Sequence, residues 1–144
     1  MDDTPELLDL AGRTRDSVSA LARRMRQERP EHGLGLTSTS VLSRLDRLGP
    51  LGPKDLAALE GVQPQSLTRQ LASLEERGLL TRRPHQQDGR QVVVEITDAG
   101  RRLVQDDRRT RDEWLAQAIA RRLTPVEQDV LAAANKLLHL LSET

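Results

Sequence analysis

Gln65, Ser66, Thr68, Arg69 and Ser73 fall close together in one polar stretch of the chain. Side chains of these types read nucleic acid. Gln and Arg make bidentate contacts to base edges, while Ser and Thr reach edges or phosphates. Arg77 and Arg82 follow at short intervals, and a polar segment around Gly89 supplies Asp88 and Arg90. A solvated helix face would have the same composition, so for this stretch alone both readings stand. Other chemistry has little to build on. His32, His85 and His139 are scattered without metal-ligand spacing and read as surface histidines. The acidic pairs Asp2-Asp3, Glu75-Glu76 and Asp106-Asp107 read as solvated. Cysteine is absent, which excludes disulfides, thiolate metal sites and thiol-based sensing. We expect no catalytic residue, no metal, no cofactor and no enzyme activity.

The polar set must be held by a helix. From Pro64 to Arg77, Leu67, Leu71 and Leu74 recur at spacings of four and three, which buries one face. The opposite face then presents Gln65, Arg69, Ala72 and Ser73, flanked by Ser66 and Thr68. Pro64 suits the first helical position, and Gly78 a residue just past the end. A shorter helix over 54–60 precedes it, broken at Gly61. Downstream, 79–83 reads as a strand and Val92 to Ile96 as its partner, with Val92, Val94 and Ile96 on one face. The loop from Pro84 to Gln91 is too long for a two-residue turn. Helix, turn, helix and hairpin make a winged helix-turn-helix, which places its second helix in a major groove and its loop near the backbone or minor groove.

These residues resemble the MarR-type (multiple-antibiotic-resistance) transcriptional regulators. The resemblance rests on Gly35-Leu36-Thr37, Asp55-Leu56-Ala57, Ser66-Leu67-Thr68-Arg69, Leu74-Glu75 and Gly78-Leu79. It continues through Asp88-Gly89-Arg90, Ile96-Thr97 and Gly100 to Leu123-Thr124-Pro125-Val126-Glu127. It implies a mainly α fold with a small β-hairpin wing, in one domain spanning 1–144. Residues 37–100 would form the DNA-binding lobe, and 5–30 with 101–142 a helical dimerisation lobe. It further implies a homodimeric repressor on a pseudo-palindromic operator in double-stranded DNA, released by a small-molecule effector held between the lobes. Arg90 resembles the family's minor-groove arginine, with Asp88 placed to orient it. Gly89 departs from the pattern, because a basic residue is common there, and fewer wing cations neutralise fewer phosphates.

The rest of the chain is consistent with that arrangement. The formal charge is zero, yet residues 64–102 carry seven arginines against five carboxylates, a local excess of +2. A first helix from about Pro5 to Gln27 has Leu7, Ala11, Val18, Leu21 and Met25 near heptad spacing, with Leu10 alongside them. It would serve either a monomer's core or, as the resemblance implies, a dimer. Arg29 to Leu36 reads as a loop, and Thr37 as the cap of a second helix through about Leu48, with Val41, Leu42 and Leu45 inward. Thr97 caps a long helix whose stretch between Val104 and Trp114 reads as solvated and held by pairs such as Asp107 with Arg111. Trp114 and Ile119 resume an apolar face. Thr124-Pro125-Val126-Glu127 is a capping box, and the last helix offers Leu131, Leu137, Leu138 and Leu141 for burial.

With one Trp and no Phe or Tyr, an effector pocket would be lined by Leu, Val, Met25 and Trp114. No signal core or run of apolar residues long enough for a membrane span is present, so a cytoplasmic protein with no membrane partner is expected. The rival reading is a winged helix that docks proteins. Arg69, Arg90 and the lack of exposed Leu, Met or aromatic residues on the polar face weigh against it.

Overall fold

The computed structural model describes residues 4–28 and 32–143, and the chain separates into two compact units. The acidic start at 1–3, and 29–31 of the expected first loop, lie outside the described residues. In chain order the elements are α1 (Pro5–Gln27), α2 (Leu36–Leu48), α3 (Pro53–Glu60), α4 (Pro64–Glu76), β1 (Leu80–Pro84), β2 (Val92–Ile96), α5 (Asp98–Arg122) and α6 (Pro125–Ser142). The mainly helical class with a single hairpin is as the sequence predicts.

One unit, Pro30–Arg108, holds the core. Val41, Leu42 and Leu45 of α2, Leu56 and Ala57 of α3, and Leu67, Leu71 and Leu74 of α4 are buried together with Leu80, Val94, Ile96 and Val104. Each full leucine burial is worth about 1.5–3 kcal/mol, so the stripe on α4 fixes which face of that helix points outward. Two glycines set the angles of the helix-turn-helix. Gly61 (φ 67°) ends α3 and lets the Val62 N–H reach the Ala57 carbonyl at 3.0 Å. Gly78 (φ 71°) ends α4, where Leu79 N–H donates to Leu74 and Gly78 N–H to Glu75, both at 2.9 Å. That is the Schellman pattern. The hairpin pairs antiparallel with Leu80 opposite Ile96 and Pro84 opposite Val92. An extra bridge joins Leu51, in the α2–α3 linker, to Val94 through two backbone bonds of 3.0 and 2.8 Å.

The other unit, Met1–Arg29 with Arg109–Thr144, comprises α1, the second half of α5 and α6. Among its described residues none is fully buried. Leu7, Leu10 and Val18 on α1, and Leu137, Leu138 and Leu141 on α6, are exposed apolar side chains, while Trp114, Ile119 and Leu131 are half-buried. The Arg24 guanidinium sits 4.5 Å from the centre of the Trp114 ring, a cation–π contact. Thr124 and Glu127 complete the expected capping box, with the Thr124 N–H donating to Glu127 Oε2 at 2.7 Å.

Four local expectations are corrected. Gly35, not Thr37, is the N-cap of α2, and Thr37 lies within the helix. Val92 is 44% exposed, whereas Val93 is buried, because Val92 pairs with Pro84 at the loop end of the hairpin, beyond the core. Asp107 is not solvated and does not pair with Arg111. It lies three residues after Val104, on the same helix face, and is 1% exposed. Its partner is His32, whose side chain is 12% exposed, so the loop histidine is not a surface residue either.

Candidate nucleic-acid interface

Because the leucine stripe turns inward, α4 presents Gln65, Ser66, Thr68, Arg69, Ala72 and Ser73 to solvent. Thr68 Oγ1 donates back to the Pro64 carbonyl at 3.4 Å, leaving its oxygen free to accept. The guanidinium of Arg69 has no ion-pair or hydrogen-bond partner among the described residues, and neither does that of Arg90. An exposed, unpaired guanidinium keeps all five of its donors for a partner.

Arg77 is held differently. It caps the C-terminus of α4, and Nη2 donates to the His32 carbonyl at 2.6 Å. Arg69, Gln70, Ser73 and Arg77 line a cleft of about 240 Å³ against Gly33, Leu34, Gly35 and Ser38 at the start of α2. Gly35 gives α2 no side-chain cap, so its opening N–H groups are left to water or a ligand. Two arginines and a helix N-terminus favour an anion there. The contribution from the start of α2 was not among the sequence expectations; the Gly35-Leu36-Thr37-Ser38 run at a helix start was the available signal.

Arg82 is tied down, its Nε lying 3.5 Å from Glu75 Oε2, and Arg83 beside it donates to Glu95 across the hairpin at 2.9 Å. The wing beyond them is braced by its own side chains. The His85 N–H donates to the Gln91 carbonyl at 2.8 Å. The His85 ring Nδ1 accepts from the N–H groups of Gln87 (3.1 Å) and Asp88 (3.3 Å). Asp88 orients Arg90 through the backbone, its Oδ1 accepting the Arg90 N–H at 3.1 Å. The Arg90 side chain is thereby left exposed at the tip. His85 therefore has a bracing role that its position in a polar loop did not announce.

The matched sequence features bear on what such a surface is for. A profile of the MarR family matches residues 34–92, from the loop before α2 into the second strand of the wing. The HTH-type transcriptional regulator Mb0904 of Mycobacterium bovis is 40% identical over 129 residues, covering 89% of this chain and 90% of its own.

The chain belongs to the MarR family.

A transcriptional regulator of Pseudomonas aeruginosa has a crystal structure similar to this MarR chain, with a TM-score of 0.86 at 34% identity over 98% of this chain and 99% of that one. A mutant of MarR from E. coli shares the fold, with a TM-score of 0.73 at 23% identity over 88% and 94%. This MarR-family protein is thus an HTH-type transcriptional regulator on a winged-helix scaffold. Among the described residues, no group of three or more His, Cys, Asp and Glu side chains could hold a metal, and no helix is long and apolar enough to cross a membrane.

Proposed function

We propose that this MarR-family chain is a homodimeric, cytoplasmic repressor that binds a pseudo-palindromic operator and is released by a small molecule. The observation that carries the reading is the outward face of α4, where Arg69 stands unpaired among uncharged hydrogen-bonding side chains above a fully buried leucine stripe. In this reading Gln65, Ser66, Thr68, Arg69 and Ser73 face base edges and nearby phosphates. Arg77, with the start of α2, takes a backbone phosphate, Arg82 lies alongside, and Arg90 enters the groove beneath the wing with Asp88 bracing it. Residues 37–100 serve as the DNA-binding lobe, and 5–30 with 101–142 as the dimerisation lobe.

Dimerisation is supported by the exposed aliphatic side chains of α1 and α6. Leu10, Val18, Ala134, Leu137, Leu138 and Leu141 line a groove of about 500 Å³ between those helices. A second copy would cover it and supply the core this unit lacks. For the effector, the candidate seat is a cleft of about 310 Å³ between His32 and Ala99, Arg102, Leu103 and Asp106 of α5. Footprinting on the DNA upstream of the protein's own operon tests the reading. Protection of two half-sites about one helical turn apart is expected, and absence of any protected site would favour a protein-docking module instead.

A further inference from the structure

His32 is the meeting point of three elements. Its ring Nε2 lies 2.9 Å from Asp107 Oδ1 on α5, its ring Nδ1 accepts the Leu34 N–H at 3.1 Å just before α2, and its carbonyl accepts Arg77 at the end of α4 at 2.6 Å. Because Nδ1 is an acceptor, the ring proton sits on Nε2 and is donated to the carboxylate. The other carboxylate oxygen of Asp107 is buried without a partner among the described residues. A buried carboxylate satisfied on one side only depends heavily on the single bond it has.

We propose that Asp107 and His32 are positioning residues that set the Arg77 guanidinium, and with it the C-terminal end of α4, for the partner that the interface binds. Asp107 fixes the ring, the ring fixes the short loop 32–35, and the loop carbonyl fixes Arg77, whose remaining donors are left for the cleft shared with Arg69. A buried residue of α5 that touches no ligand thereby governs one edge of the recognition surface. Its effect on binding rests on the DNA reading above; the relay itself does not.

The test uses the full-length protein and two measurements. Hydrogen exchange in the absence of DNA reads the amides at 33–36 and 77–79. Anisotropy titration reads affinity for the footprinted operator. Asp107→Leu, which removes the acceptor, should accelerate exchange at both segments and weaken binding by about ten-fold, the scale of one hydrogen bond to a charged group. Asp107→Asn, which keeps an acceptor oxygen, should restore most of both. In an Arg77→Ala background, Asp107→Leu should weaken binding no further, since coupled residues are non-additive. If Asp107→Leu does not fold, His32→Asn takes its place, because it keeps a local acceptor for the Leu34 N–H but is too short to reach Asp107.

Faster exchange at 33–36 with none at 77–79, or an additive loss in the Arg77→Ala background, would overturn the relay. If exchange couples the two segments while the wild-type protein binds no operator, the relay holds and the DNA reading fails.

Discussion

Gly100 lies directly beneath Leu79. A Cβ placed on it would run into the Leu79 carbonyl oxygen and come within 2.7 Å of Ile96 Cγ1. This contact sets the start of α5 against the turn that follows α4 and the last residue of the hairpin. Thr97 secures the same corner, its Oγ1 donating to the Gly78 carbonyl at 2.6 Å and accepting the Gly100 N–H at 3.1 Å. Gly100→Ala should therefore destabilise the fold by about 1–3 kcal/mol through overpacking, measured by denaturant unfolding. Unchanged stability would mean that the corner opens at little cost.

Glu127 is held below the usual carboxylate range by the Thr124 N–H and hydroxyl, both of which donate to it. A depressed carboxylate stabilises the folded state above its unfolded value, and that contribution is lost as pH falls through the lowered folded value. Wild type should thus melt higher than Glu127→Gln near neutral pH, and the gap should close as pH drops through the acidic carboxylate range. Thermal melts in a pH series measure it; a gap independent of pH would assign the cap to neutral hydrogen bonding.

Leu137 and Leu141 are 62% and 65% exposed on α6. Leu137→Asp should put an unpaired charge into the proposed interface and shift the protein towards monomer. Sedimentation at micromolar concentration checks this, and a stable, well-folded wild-type monomer there would contradict the dimer.

Much of this architecture was legible because its signals are local. Leu67, Leu71 and Leu74 mark the buried face of α4 by spacing alone, Gly61 and Gly78 end their helices where left-handed backbone is needed, and Thr124 with Glu127 announces a cap within four residues. What was missed depends on partners distant in sequence. His32 and Asp107 carry no periodic signal, since their meaning lies in a contact across 75 positions. The Leu51–Val94 bridge is likewise invisible within a Gly- and Pro-rich linker. Val92 follows strand alternation correctly, but alternation cannot tell where the core ends. On the interface, the outward set on α4 could be read, whereas the cleft beside it required knowing that the start of α2 packs there.

The reading that α4 contacts base edges while Arg90 of the wing enters the groove beneath it with little sequence preference is tested most directly by anisotropy titrations of wild type, Arg69→Ala and Arg90→Ala on operator and scrambled duplexes over a salt series. Arg69→Ala should cost ~1–3 kcal/mol on the operator and relax preference at one base pair per half-site. Arg90→Ala should weaken binding to both duplexes more evenly and flatten the salt dependence by about one unit of slope per wing. If neither substitution alters binding while the protein stays folded and its oligomeric state is unchanged, the assignment of α4 and the wing to DNA is wrong.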